Sequence, residues 1–201
     1  EKHGLEYIDM NPYAFYPSPT GQGAIAFYRD KEKTYNSIAR MSDHDAEAYR
    51  KYLEYWGPIN EAVFDVFLNP PSVMGLFGTM AKAQAKVRHL TSTMETVRRL
   101  FTSYGQLINE TFESEAMRAS LMWLAAQSGP PPDEIGAGDF FGWHAMMHTS
   151  GAMHPKGGSG MLTQAMARSF TAAGGTVVLD APVKRILVKG NRVEGVETMD
   201  G

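Results

Sequence analysis

The chain has 201 residues, of which 43% are hydrophobic and 20% are charged, a composition typical of a packed globular protein rather than a disordered one. Its formal net charge is −3 and its basic residues are scattered, which excludes the concentrated positive face that nucleic-acid binding requires. The absence of cysteine excludes disulfide and thiolate chemistry, and we expect a reducing, cytoplasmic compartment. No run of about 18 apolar residues is present, so no segment is predicted to cross a membrane.

The two ends of the sequence are unusual for a complete protein. Glu1 follows no initiator methionine, and no signal-peptide pattern comes after it. The last residues before Gly201 are typical of a strand that runs into a turn without its partner strand. We therefore expect the chain to be an internal fragment of a longer protein.

The N-terminal third of the sequence combines short strands with two helices. Alternating apolar residues separated by prolines predict short extended segments within residues 4–28. Residues 31–40 have an amphipathic pattern of helical period, and Ser42 is placed to cap a longer helix. Apolar positions such as Tyr49 and Trp56 give that helix a stripe that we expect to be buried.

Helical patterns also dominate the middle of the chain. Residues 72–101 are predicted to be helical, and Ser114 is placed to cap another helix that carries Leu121 on its apolar face. A glycine-rich passage at 136–142 then leads to a methionine-rich segment at 143–148.

The character of the sequence changes near Pro155, and the fold class is predicted to be α+β. A mostly helical domain with short strands is expected over 1–153, followed by a helix and β-hairpin unit over 154–201. The predicted order in the second part is a glycine loop at 157–160, a helix at 161–173, a strand at 176–179 and a hairpin of strands at 183–188 and 192–198.

The second part also carries a family resemblance. Residues 154–161 (HPKGGSGM), the helix after them and residues 174–186 (GGTVVLDAPVKRI) resemble one segment of the phytoene desaturase-like flavoproteins. Shorter segments at 9–15 (DMNPYAF), 45–50 (DAEAYR) and 126–131 (AQSGPP) resemble the carotene ketolase type and the phytoene dehydrogenase-related proteins. One difference is His154, which stands where these families usually have an aromatic residue.

The resemblance implies a helical cap inserted into an FAD-binding framework. It assigns cofactor contacts to Gly157, Gly158 and Ser159 in the glycine loop and to Val183, whose backbone would meet the adenine. A tight turn before a helix is the alternative explanation of the glycines. The Gly-x-Gly-x-x-Gly fingerprint that would hold the FAD pyrophosphate is absent. We therefore expect this chain alone to retain no FAD and to be inactive.

Candidate substrate-binding residues precede the glycine loop in the sequence. Trp143, Met146 and Met147 belong to a soft apolar stretch that would suit either an ordinary core or the wall of a pocket for a hydrocarbon substrate. His144 would be a polar anchor in such a pocket. His154 is the remaining candidate. The spacing of His144 and its neighbour four residues later suits a metal, but a Glu between them and a third ligand are missing, so no metal site is predicted.

The resulting hypothesis is an FAD-dependent oxidoreductase, active when full length, that acts on an apolar, carotenoid- or isoprenoid-like substrate. The catalytic residues are not identifiable. One alternative is an amine-oxidase-like flavoprotein; another is a non-catalytic helical module that binds a protein partner or a membrane surface. Aromatic and aliphatic residues within 51–80 would serve such peripheral membrane contact, or would simply pack against each other. No oligomeric state is predicted.

Overall fold

The computed structural model describes residues 2–18, 21, 23–70 and 72–199. It has the predicted α+β fold, with many helices and short antiparallel strands. The chain forms two compact units. One, the helical unit, is Asp9–Met153; the other, the hairpin unit, comprises the segments up to Ile8 and from His154 onward. The roles predicted for 1–153 and 154–201 stay predictions.

Three short strands occupy the region where extended segments were predicted. They are β1 (Tyr7–Met10), β2 (Ala14–Pro17) and β3 (Ala24–Phe27). Strands β2 and β3 pair antiparallel, with Ala14 opposite Phe27 and Tyr16 opposite Ile25. Ile25 and Phe27 are buried, so the hairpin covers one side of the helical core. Residues 19, 20 and 22 of the predicted segment lie outside the described residues.

Two helices follow, and both confirm the sequence prediction. They are α1 (Lys31–Ala39) and α2 (Asp43–Leu68). Ser42 caps α2, since its hydroxyl accepts a hydrogen bond from the Asp45 N–H at 3.1 Å. The Asp45 side chain is itself buried and accepts the N–H groups of Glu113 and Ser114 at 2.8 and 2.9 Å. This carboxylate therefore joins the start of α2 to a distant part of the chain.

The middle of the chain forms more helices than its sequence pattern predicted. They are α3 (Val73–Val87), α4 (Thr93–Phe101), α5 (Tyr104–Thr111), α6 (Glu115–Ala126) and α7 (Asp139–Ser150). The single helix predicted over 72–101 is wrong, because the chain breaks after Val87 and restarts with Ser92 as the cap of α4. Ser114 caps α6 as predicted.

Helix α2 is the centre of the helical unit and packs against α1, α3 and α7. Its buried stripe includes Tyr49, Tyr52 and Trp56, as its period predicted. The contact with α7 is close because Gly142 has no side chain; a Cβ there would lie 2.6 Å from Trp56 Cε3. Over the described part of the chain, no helix has both the length and the apolar content needed to cross a bilayer.

The hairpin unit contains the predicted helix and β-hairpin. The remaining elements of the chain are β4 (Ala152–Pro155), α8 (Gly160–Ala172), β5 (Val183–Lys189) and β6 (Arg192–Thr198). Strand β4 pairs with β1, and β5 pairs antiparallel with β6. The strand predicted over 176–179 is not formed: a strand needs a neighbour for its backbone groups, and within the described ranges this segment pairs with none. Its side chains at Val178 and Leu179 are exposed.

Candidate functional site

An uncharged cavity lies beside α7 in the helical unit. We call it the α7 cavity; its volume is about 410 Å³, within the range of small-molecule sites. Three of the predicted substrate-binding residues, Trp143, His144 and Met147, lie in its wall. The other lining residues carry no charge either: Met10, Tyr13, Leu124, Ala125, Gln127, Ser128 and Ala152.

His144 is the polar residue of this wall with the most unusual surroundings. The residue is 4% exposed, and its ring packs against Phe27 with the ring centroids 5.4 Å apart. Neither of its ring nitrogens has a hydrogen-bond partner among the residues that the structure describes. Burial, with a smaller contribution from His148, lowers the pKa of His144 to about 3. The ring is therefore a neutral imidazole at pH 7, which has one donor and one acceptor that no described residue pairs with.

Tyr13 is a second polar group in the wall of the α7 cavity. Burial raises the pKa of its phenol, and the nearby Tyr49 hydroxyl offsets part of that effect. The two hydroxyls nevertheless form no hydrogen bond of good geometry, and the Tyr13 oxygen has no other partner within the described ranges. The sequence did not identify Tyr13 as a residue of the site; it appeared there only as part of the family-like segment 9–15.

Both ring nitrogens of His148, the second histidine of α7, form hydrogen bonds. The Nδ1 of His148 lies 3.0 Å from the Arg29 carbonyl, and its Nε2 lies 2.8 Å from the Tyr49 hydroxyl. Because a carbonyl can only accept, the proton is on Nδ1, and Tyr49 donates to Nε2. Burial lowers the pKa of His148, although its bond to the Arg29 backbone opposes the shift. His148 thus fixes α7 against the end of β3 and has no free nitrogen.

The two histidines of α7 differ in their hydrogen bonding. His144 and His148 share a helix, as their spacing predicted, but only one has free nitrogens. No group of three or more His, Asp or Glu side chains is placed to hold a metal ion in the part of the chain that the structure describes.

Met146 lies along a different cavity from its neighbours on α7. This second cavity also measures about 410 Å³, and its wall includes Phe64 together with the charged Lys31, Glu54 and Glu61. The helix places residues 143, 144 and 147 on one side and 146 on another, so the four predicted residues do not form one site. A larger cavity of about 560 Å³ carries acidic and basic side chains, among them Lys51 and Arg99, which do not suit an apolar ligand.

The predicted cofactor residues lie in the hairpin unit. Gly157 and Gly158 have φ values of +90° and +96°, so the tight turn requires glycine at both positions whether or not it contacts a cofactor. A Cβ at Gly158 would meet no atom within 4 Å, which leaves its backbone open to a flat group. The Gly158 N–H is used within the turn, since it donates to the Pro155 carbonyl at 3.0 Å.

The other three predicted residues of this unit are accessible. Ser159 precedes α8, and its side chain makes no capping hydrogen bond. Val183 begins β5 and is 56% exposed, while His154 on β4 is exposed as well. An open glycine backbone and an exposed apolar residue fit contact with a planar cofactor such as a flavin, but they offer few anchoring groups.

Comparison with known proteins gives these residues a family context. A family model described as flavin-containing amine oxidoreductase matches residues 5–201. The chain is 28% identical to a lycopene-forming phytoene desaturase of Pantoea ananas, over 98% of this chain and 38% of that protein. It is 27% identical to one component of the limonene dehydrogenase of Castellaniella defragrans, over 98% and 35%. It is 24% identical to the all-trans-retinol 13,14-reductase of Danio rerio, over 91% and 30%. The chain thus spans well under half the length of these relatives.

Proposed function

The chain belongs to the flavin-containing amine oxidoreductase family, and we propose that it supplies the substrate-binding part of an FAD-dependent oxidoreductase acting on an apolar, isoprenoid-like molecule. The observation that carries this proposal is the α7 cavity, whose wall is uncharged and includes Trp143 and Met147. Methionine and aromatic side chains adapt to irregular apolar ligands.

The names of the relatives support the choice of substrate class. Phytoene, limonene and retinol appear in the names of three similar proteins, and all three are isoprenoids. A carotenoid-like hydrocarbon is the substrate that the sequence resemblance implied, and the absence of charge in the cavity suits it. The complete protein would then be an enzyme, with this chain alone inactive.

The residues present indicate which roles the cofactor and the protein would have. The flavin, when bound, supplies the hydride chemistry. Gly157, Gly158, Ser159 and Val183 would contact the FAD through backbone and apolar surface. The residues of the α7 cavity would bind and orient the substrate and exclude water from it, while His144 would remain an uncharged hydrogen-bonding group.

An amine-oxidase-like activity is the second candidate, favoured by the description of the family model. An amine substrate binds most readily where a carboxylate or a set of acceptors meets its ammonium group. The α7 cavity has no acidic side chain. We therefore rank the isoprenoid substrate first.

We also propose that the complete protein is cytoplasmic and touches a membrane peripherally. The end of α2 and the start of α3 expose Phe67, Leu68, Val73, Met74 and Phe77, each at least 69% accessible, and an exposed apolar group of this kind marks an interaction surface. Sedimentation with phosphatidylcholine vesicles tests this: the protein should pellet with them, and Phe77→Ser should reduce the pelleted fraction. An unchanged soluble fraction would contradict membrane contact.

The proposed activity is tested by anaerobic mixing of the complete, flavin-loaded protein with phytoene, geraniol or benzylamine. Transfer of hydride to the flavin bleaches its visible absorbance, so an isoprenoid should bleach the spectrum and benzylamine should not. Bleaching by the amine alone would favour the second candidate. A spectrum unchanged by all three would contradict the proposed oxidation of isoprenoids.

A further inference from the structure

His144 is a buried polar residue whose two ring nitrogens have no hydrogen-bond partner among the residues that the structure describes. A buried donor or acceptor without a partner costs about 1–3 kcal/mol, so such groups are rare in folded proteins. The other histidine of α7, His148, satisfies both of its ring nitrogens with Tyr49 and Arg29. The contrast between these two residues on one helix makes His144 a candidate for contact with a ligand.

The surroundings of His144 restrict what could satisfy it. Its ring forms part of the wall of the α7 cavity, which carries no charged side chain. Both nitrogens are shielded from solvent, yet no hydrogen bond from the described residues holds the ring. A rotation about χ2, a torsion with a broad energy profile, would therefore break no hydrogen bond to the described residues while it turned a nitrogen toward the cavity.

The protonation state of the ring restricts the partner further. A neutral imidazole offers one N–H donor and one acceptor nitrogen, and no cation is available in this wall to bind an anion. A hydroxyl or a carbonyl suits such a ring, whereas a carboxylate or an ammonium group would remain unpaired in an apolar cavity. Tyr13, whose hydroxyl also lacks a partner in the described part of the chain, lies in the same wall.

We propose that His144 recognises one uncharged, oxygen-bearing group, a hydroxyl or a carbonyl, on an otherwise apolar molecule in the α7 cavity. The proposal rests on the proposed function, since it takes this cavity to be the substrate site. It narrows the substrate from isoprenoid hydrocarbons in general to isoprenoid alcohols, aldehydes or ketones. His144 would be a specificity-determining residue, with no part in the transfer of hydride.

The test compares two ligands of one carbon skeleton on the complete protein. Geraniol carries a terminal hydroxyl, and 2,6-dimethyl-2,6-octadiene is the matching hydrocarbon. Binding is followed by tryptophan fluorescence, because Trp143 lies in the cavity wall. The unaltered protein should bind geraniol about three- to tenfold more tightly than the hydrocarbon, the effect of one net hydrogen bond.

Variants then assign this preference to His144. His144→Phe should weaken geraniol binding about tenfold and leave the hydrocarbon within about twofold, because the hydroxyl would be buried without a partner. His144→Gln keeps a donor and an acceptor and should retain part of the preference. Met147→Leu, an apolar change in the same wall, is the control and should leave the ratio of the two affinities unchanged.

The possible outcomes separate the proposal from the function on which it rests. If both ligands bind equally well to the unaltered protein, recognition by His144 is overturned while the cavity remains a substrate site. If neither ligand binds, both proposals fail. A ratio that persists in His144→Phe would also overturn the proposal. A structural role, such as holding a buried water, predicts instead that His144→Phe lowers the melting temperature and does not alter the ratio.

Discussion

The helical unit should lose stability in mild acid because it buries His144 as a neutral side chain. The unfolded chain binds a proton at this residue with an ordinary pKa of 6.5, whereas burial lowers the pKa in the folded state to about 3. Between these values the unfolded state holds more protons than the folded state. Stability therefore falls as the pH drops through 6.5, and it continues to fall until the pH approaches 3.

The expected size of this effect follows from the two pKa values. From pH 7 to pH 5, His144 alone should reduce the free energy of unfolding by about 2 kcal/mol. His148 should add to the loss, since its pKa is also lowered. The variant His144→Phe removes only the first contribution, so its stability should decline less over the same interval. At pH 7 the variant should be at least as stable as the original, because a buried group without a partner is replaced by an apolar ring.

Urea unfolding at pH 5, 6 and 7, followed by tryptophan fluorescence, measures the difference. The three tryptophans, Trp56, Trp123 and Trp143, all belong to the helical unit, so the signal reports on the unit that contains His144. Equal losses of stability in the original chain and in His144→Phe would refute the idea that His144 is buried in its neutral form. A variant that is much less stable at pH 7 would show that His144 has a structural partner.

Three further predictions concern packing and cofactor retention. Asp45→Ala should lower the free energy of unfolding by about 3 kcal/mol, because two backbone N–H groups lose a charged acceptor. The control, Asp43→Ala at the exposed start of α2, should change the free energy of unfolding by less than about 0.5 kcal/mol. Urea unfolding measures both. Gly142→Ala should lower the free energy of unfolding by about 1–3 kcal/mol, because the new methyl group overlaps Trp56. Gly57→Ala, whose new Cβ has no atom within 4 Å, should raise the free energy of unfolding by up to about 1 kcal/mol. Equal effects in that pair would contradict the close contact of α2 with α7. Finally, the purified 201-residue chain should be colourless after dialysis against excess FAD and then against buffer, and stoichiometric flavin absorbance would contradict the small set of cofactor contacts.

Local signals in the sequence predicted much of the fold. Capping serines at 42 and 114 marked the starts of α2 and α6 correctly, because a cap depends only on residues one turn away. The stripe containing Tyr49 and Trp56 was correctly assigned to the buried face of α2. The α+β class and the hairpin of β5 and β6 followed from turn residues and alternation.

Features that depend on distant partners could not be predicted in this way. The apolar segment at 176–179 has a strand-like sequence, but pairing requires a neighbouring strand that local sequence does not specify. Residues 143, 144, 146 and 147 were predicted to line one substrate pocket. Met146 lies on another side of α7 and lines a separate cavity. The isolation of His144 and the full pairing of His148 depend on Phe27, Tyr49 and other residues far away in the sequence.

The central claim is that an apolar substrate occupies the α7 cavity, and photolabelling tests it most directly. The complete, flavin-loaded protein would be irradiated with a diazirine-bearing analogue of geraniol, and the labelled peptides would be identified by mass spectrometry. The label should fall on Trp143 or Met147, or on the facing residues Met10 and Tyr13, and unlabelled geraniol should suppress it. Labelling confined to Phe64 and the other residues of the second cavity, or to the hairpin unit, would contradict the claim.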